Sequence, residues 1–246
     1  MPAFFVTSEQ VVGTTVIIRG ELLRHLRASL RVRPGEELSL TEDHTRRLRV
    51  QVTSVTSEQL TAIVIETSLR PAELAPTVIL GQALLKHDQM DWVIQKATEL
   101  GVAVIVPLVT SRGVVRPNGT RIRTQRDRWN RIAFEAAQQA ERWDSPEVMD
   151  PQGWHEWIAA LSPAATRLML HERRRSAALS DIALSDSADH PFVLAIGPEG
   201  GWTEEEATAA DLNGFRLVSL GERILRAETA ALAGLTLLQG RLGQFR

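Results

Sequence analysis

The chain has 246 residues, 43% of them hydrophobic, enough for one large or two modest cores. It contains no cysteine, which excludes disulfides, thiolate metal sites and every mechanism that needs a cysteine nucleophile. The net charge of -2 sets 28 basic against 30 acidic residues, and all the basic ones except Lys86 and Lys96 are arginines. They crowd into residues 19–49 and 112–131. Clustered arginine suits phosphate and stacked bases, and its alternative is a solvated face. The histidines at 25, 44, 87, 155, 171 and 190 include no pair at a metal-ligand spacing, so no metal is expected. No leader peptide and no apolar run near about 20 residues occurs, so a soluble cytoplasmic protein away from membranes is expected.

Residues 1–70 read as β-rich. Turn signals such as Pro34-Gly35 separate candidate strands at 3–7, 14–18, 37–41, 47–54 and 60–66, the spacing of a small barrel or half-barrel. A helix is predicted over 21–30, with Leu22, Leu23, Leu26 and Leu30 on one side. Pro71 and Pro76 bracket a stiff connector and put a domain boundary at 72–73. From Thr77 strands and helices alternate: strands at 78–85, 102–109, 168–170, 192–196 and 216–220, helices at 88–100 and 121–143. Buried apolar strands alternating with helices imply an α/β fold with a mostly parallel sheet. Residues 173–190 read as an exposed connection, and 228–238, apolar on all sides, as a buried helix.

Two Gly-rich turns stand out. The run Phe192 to Ile196 stops at Gly197-Pro198-Glu199-Gly200-Gly201, and Thr203 with Glu206 has the spacing of a capping box at a helix start. A strand, tight loop and helix in succession let bare backbone approach a ligand closely. The loop is neither a Walker A motif nor G-x-G-x-x-G, and Glu199 would repel a triphosphate, so a neutral or cationic ligand suits it. The second turn, Leu220-Gly221-Glu222-Arg223-Ile224-Leu225-Arg226-Ala227-Glu228-Thr229, precedes the last helix. Glu228 is favourable at a helix N-terminus, whereas Arg226 opposes the macrodipole there and points to a role in the cleft.

GPEGGW followed by LGERILRAETA resembles the SPOUT-superfamily methyltransferases, specifically the RsmE-type enzymes that methylate uridine N3 in small-subunit ribosomal RNA. KHDQMDWVIQKATELG from Lys86, Pro107 with Ser111-Arg112, Arg128-Trp129 and Glu135-Ala136-Ala137-Gln138-Gln139 match further stretches of that family in order. His25-Leu26 with Leu30-Arg31 and Gly35 resembles its N-terminal motif. The resemblance implies a PUA-like β-barrel RNA-binding domain over 1–72 and a SPOUT methyltransferase domain over 73–246 with a trefoil knot in its C-terminal part. It also implies a homodimer acting on ribosomal RNA within the small ribosomal subunit, with S-adenosyl-L-methionine as cofactor.

Carried over by position, the cofactor would meet Leu170, His171, Leu194, Ile196, Gly197, Pro198, Glu199, Gly200, Gly201, Leu220, Gly221, Ile224, Leu225, Arg226, Glu228 and Thr229. Deprotonation of uridine N3 spreads negative charge onto two flanking carbonyl oxygens, which Arg226 or Arg112 could stabilise. Glu228 and solvent are both open as proton acceptor. Arg24, His25, Arg27 and Arg31, with Arg116, Arg121 and Arg123, would contact RNA. Pro2-Ala3 stands where relatives carry an arginine, Ser111 where they often have Glu, and Gln138 replaces a Glu. The competing readings are a SPOUT enzyme with another base or ribose target, and an RNA-binding assembly factor without catalysis. Cofactor binding discriminates the latter.

Overall fold

The alternation of residues 3–69 builds one six-stranded sheet. Its strands are β1 (Ala3–Val6), β2 (Val11–Val12), β3 (Thr15–Ile18), β4 (Glu37–Glu42), β5 (Arg46–Val55) and β6 (Leu60–Leu69), ordered β1-β4-β5-β6-β3-β2. Only the β1–β4 pair is parallel. Along β5, Leu48, Val50 and Val52 point inward while Arg49 and Gln51 face solvent, the period of two that a half-buried strand requires. Phe4, Ile18, Leu26, Leu40 and Leu60 fill the core of this unit, each contributing about 1.5–3 kcal/mol of burial.

The computed structural model describes residues 2–72, 76–116, 119–172, 177–182 and 190–245, apart from the side chains of Thr120 and Arg121. The chain forms two compact units, Met1–Glu73 with Ala137–Asp144, and Leu74–Ala136 with Ser145–Arg246. Thus 137–144, placed beyond the 72–73 boundary by the sequence, joins the smaller unit. The helix expected over 21–30 is shorter: α1 (Gly20–Arg24) runs into a widened turn in which Leu30 N donates to His25 O at 3.2 Å. Arg31 then adopts φ 57, which ends the helix. Leu23 and Leu26 are buried, but Leu30 is swung out to 46% exposure.

In the larger unit the alternation gives β7 (Val78–Ala83), α2 (Gln89–Glu99), β8 (Val104–Val109), α3 (Gly119–Gln139), β9 (Glu147–Val148), β10 (Gln152–Gly153), α4 (Trp154–Ala160), β11 (Thr166–Leu170) and β12 (Ala177–Ala178). The last third adds β13 (Phe192–Ile196), α5 (Glu204–Leu212), β14 (Phe215–Ser219) and α6 (Ala227–Arg241). Every pairing is parallel, in the order β10-β8-β7-β13-β11-β14-β12, with β9 beside β8. All five residues of β13 are buried, as a central parallel strand covered on both faces must be.

One face carries α2, α3 and α6 over Leu80, Leu194 and Val218. The other packs Trp154 and Trp157 of α4 against Trp202 and Phe215. A Cβ on Gly81 would overlap the Trp157 ring, so glycine is what lets α4 sit this close to β7. Helix α6 is less enclosed than its composition implies, with Leu237 43% exposed. Conversely, Leu179 and Ile182 are buried in the middle of the stretch read as an exposed connection, and Arg241 Nη1 donates to Leu179 O at 2.7 Å. Residues 173–176 and 183–189 of that stretch lie outside the described residues. Among the described residues no helix is long and apolar enough to cross a membrane.

Candidate active site

Strands β13, β11 and β14 are adjacent and parallel, so the loops after them emerge at one edge of the sheet, the usual position for a ligand in an open α/β fold. A cavity of about 440 Å³ lies among those loops. Its walls include Leu170 at the end of β11 with His171 after it, Ile196 at the end of β13 with Gly197, Pro198, Glu199 and Gly201 after it, and Leu220, Gly221, Ile224, Leu225, Arg226 and Glu228 after β14. Of the residues singled out in the sequence, Leu194, Gly200, Thr229 and Arg112 are not on the wall. Leu194 is fully buried in the core beneath it.

Sequence reasoning missed Gln89, Glu172, Trp202, Val218, Ser219, Arg223, Ala227 and Ala230, which also line the cavity. The signals at hand were the quoted motifs themselves: Gln89 lies in KHDQMDWVIQKATELG, Trp202 in GPEGGW, and Arg223, Ala227 and Ala230 in LGERILRAETA. Trp202 is 4% exposed, and its Nε1 donates to Leu170 O at 3.0 Å, tying the loop after β13 to the end of β11.

The GPEGGW loop is set locally. Thr203 caps α5 through a reciprocal pair, Glu206 N donating to Thr203 Oγ1 at 3.1 Å and Thr203 N to Glu206 Oε2 at 2.9 Å, as the spacing predicts. Gly201 has φ 68, which favours glycine. The other two glycines are also closely packed within the loop. A Cβ on Gly197 would lie 3.0 Å from Trp202 Nε1, and one on Gly200 3.1 Å from Arg112 Cβ.

The wall carries three carboxylates, Glu172, Glu199 and Glu228, against the guanidinium groups of Arg223 and Arg226. Glu228 receives Gln89 Nε2 at 3.4 Å on one oxygen, while its Oε2 is buried without a partner. Arg226 occupies the N-cap of α6 and is exposed; its carbonyl accepts from Ala230 N at 2.8 Å, while its side chain makes no hydrogen bond or ion pair with a described residue. From Glu222 to Leu225 no backbone group bonds to the backbone of a described residue, so these peptide groups are open to a ligand.

Arg112, the second candidate cation, is occupied: its Nη1 donates to Gly200 O at 3.2 Å and Trp202 O at 2.9 Å. Arg116 is likewise turned inward, onto the carbonyls of Thr110 at 2.9 Å and Ser111 at 3.3 Å. Arg123 is exposed and unpaired with described residues, and the side chain of Arg121 lies outside them. In the smaller unit Arg24 and Arg31 are exposed and unpaired with described residues, and Arg27 reaches Thr56 O at 3.3 Å. His25 packs edge-on against Phe4, with ring centroids 6.1 Å apart. Other arginines of the first cluster are spent internally. Arg46 pairs with Glu42, and Arg49 bridges Glu66 and Glu37, whose hydrogen bonds raise its already high pKa.

Residues 72–239 match the family model for an RNA methyltransferase domain. A ribosomal RNA small subunit methyltransferase E from Bacillus subtilis is 30% identical over 243 residues, covering 96% of this chain and 95% of the relative. Its namesake from Synechocystis is 33% identical over 238 residues, covering 96% of this chain and 77% of the relative. Among solved structures, a ribosomal RNA small subunit methyltransferase E from Neisseria gonorrhoeae bound to S-adenosyl methionine superimposes with TM-score 0.88 at 33% identity, covering 100% of both chains. A methyltransferase from Legionella pneumophila, in complex with the same cofactor, gives TM-score 0.84 at 28% identity over 98% of both chains. With a domain match over most of its length and relatives of one name along nearly all of it, the chain belongs to the RNA methyltransferase domain family, among the ribosomal RNA small subunit methyltransferase E proteins of the SPOUT fold.

Proposed function

We propose that this protein transfers a methyl group from S-adenosylmethionine to N3 of a uridine in small-subunit ribosomal RNA. The observation that carries the reading is the cavity at the ends of β13, β11 and β14. Its walls fit the cofactor chemically. Leu170, Ile196, Leu220 and Leu225 offer apolar faces to an adenine, and the open peptide groups of Glu222 to Leu225 offer donors and acceptors. Three carboxylates suit a ligand bearing a sulfonium and an amine, and the orphaned Glu228 Oε2 is a group that a ligand N–H would satisfy.

Bound there, the cofactor supplies an electrophilic methyl group. The residues of the chain do the rest. Trp202 and the capping box hold the GPEGG loop in one shape, so binding orders little that is not already ordered. Arg226, whose side chain pairs with no described residue at the cavity wall, stabilises the charge that spreads over the uracil carbonyl oxygens as N3 gives up its proton to Glu228 or to water. On the same reading the smaller unit is a PUA-like RNA-binding module, supported by Arg24 and Arg31 on its surface, which are unpaired with any described residue. The molecule acts as a homodimer in the cytoplasm, with the chain around the site threaded as a trefoil knot.

The test is methyl transfer from labelled S-adenosylmethionine to small ribosomal subunits from a strain lacking the gene, followed by nucleoside analysis. A 3-methyluridine product is expected. A different methylated nucleoside would overturn the choice of atom while keeping the cofactor, and no cofactor binding would overturn the reading altogether.

A further inference from the structure

The segment that follows β8 grips the GPEGGW loop without itself lining the cavity. One guanidinium nitrogen, Arg112 Nη1, takes the carbonyls of both Gly200 and Trp202. Ser111 N donates to Glu206 Oε1 at 2.7 Å, and Glu206 is 1% exposed. Arg116 folds back to hold the carbonyls of Thr110 and Ser111, bracing the same segment. The approach is close at backbone level, because a Cβ on Gly200 would also lie 3.4 Å from Arg112 O.

A trans peptide unit is planar, so fixing the Gly200 and Trp202 carbonyls fixes the N–H groups of Gly201 and Thr203, which point the opposite way in the same planes. Charge-assisted bonds of this kind are stronger than neutral ones. Arg112 itself is not on the cavity wall, whereas Glu199, Gly201 and Trp202 are.

We infer that Arg112 is a positioning residue for the cofactor loop: it sets the affinity for the methyl donor and does not stabilise charge on the uracil. The inference rests on the cofactor reading above. It is tested by calorimetry of S-adenosylmethionine binding without RNA, by steady-state kinetics, and by hydrogen exchange of the ligand-free protein across residues 198–203. The proteins compared are wild type, Arg112→Ala, Arg112→Lys and Gly200→Ala.

In Arg112→Ala the dissociation constant and KM for the donor are expected to rise about tenfold, with kcat at saturating donor within about twofold of wild type and RNA affinity unchanged. Exchange across the loop should quicken. Arg112→Lys should restore part of the affinity, since an ammonium still donates to a carbonyl, and Gly200→Ala should weaken binding with the guanidinium left in place. A fall in kcat at unchanged donor affinity would overturn the inference in favour of charge stabilisation, and a loss confined to RNA affinity would overturn it in favour of an RNA contact. Wild-type protein that bound no donor would sink the cofactor reading instead. Exchange in the ligand-free protein would then still decide the grip, with unchanged rates in Arg112→Ala refuting it.

Discussion

Glu206→Gln isolates what a buried carboxylate does at the mouth of α5. The two oxygens of Glu206 accept from two backbone donors, Ser111 N at 2.7 Å and Thr203 N at 2.9 Å. Glutamine has the same shape but offers one acceptor and one NH₂ group. Whichever way its amide turns, one backbone N–H meets a donor. Loss of a hydrogen bond to a charged group costs about 1.5–3 kcal/mol, and the stranded N–H adds to this where water cannot reach it. Ser111 is exposed and Thr203 half-buried, so water recovers part of the second cost. The expected loss is therefore about 2–3 kcal/mol, or roughly 4–12 °C in melting temperature for a chain of this size. Urea unfolding followed by tryptophan fluorescence reads it, since Trp92, Trp129, Trp154, Trp157 and Trp202 all lie in the larger unit. The control is Glu205→Gln, an exposed neighbour in the same first turn, where only the interaction with the helix dipole is lost, about 0.3–1 kcal/mol. Equal losses in the two variants would refute the argument, because Glu206 would then act only as a charge at a helix end.

Arg226→Ala should remove turnover while the melting temperature stays within about 2 °C of wild type, since the side chain makes no bond that the fold needs; near-normal turnover would take Arg226 out of the mechanism. Gly201→Ala places a Cβ at φ 68 and 2.5 Å from Glu172 Oε1. The left-handed backbone alone costs about 1–2 kcal/mol, and displacing a wall carboxylate should also weaken donor binding in calorimetry. Gly81→Ala drives a methyl group into the Trp157 ring and should lower stability by at least about 1–3 kcal/mol in thermal melts, with α4 displaced. An unchanged melting temperature would show that α4 is not held against β7.

Local patterns carried the site's frame. The all-apolar run before GPEGG and the Thr203–Glu206 spacing led to the correct strand and the correct cap, while the residues of the cavity wall came from the family resemblance carried over by position. What stayed hidden depends on topology. Glu172 carries no signal of its own and Gln89 only its place in the KHDQMDWVIQKATELG motif; they reach the cavity because β13 is inserted between β7 and β11. Helix α4 follows a two-residue strand and has no side-chain cap, so nothing at its start announces it, yet its two tryptophans complete one face of the core. Leu179 and Ile182 sit among Ser, Asp and Arg, and short-range composition outvoted them. The arginine clusters show the limit of counting charges. Arg46 and Arg49 answer acids on the two neighbouring strands, Arg112 and Arg116 answer backbone carbonyls, and only the remainder is open to a phosphate.

The smaller unit is assembled from two stretches of chain far apart in sequence. Arg47 lies 4.4 Å over the Trp143 ring and donates to Glu141 O at 2.7 Å, His44 Nδ1 is 2.8 Å from Trp143 O, and Arg70 pairs with Asp144 at 2.5 Å. During synthesis the sheet strands therefore emerge well before the residues that finish their surface. Translation at about 5–20 residues per second leaves roughly 4–14 s between the appearance of residue 72 and residue 144. Throughout that interval the nascent sheet lacks the partners of Arg47 and His44, an open flank for a chaperone or for misassociation. A polypeptide ending at residue 72 would be held permanently in that state, and adding back 137–144 as a peptide is the direct way to restore what the ribosome delivers late.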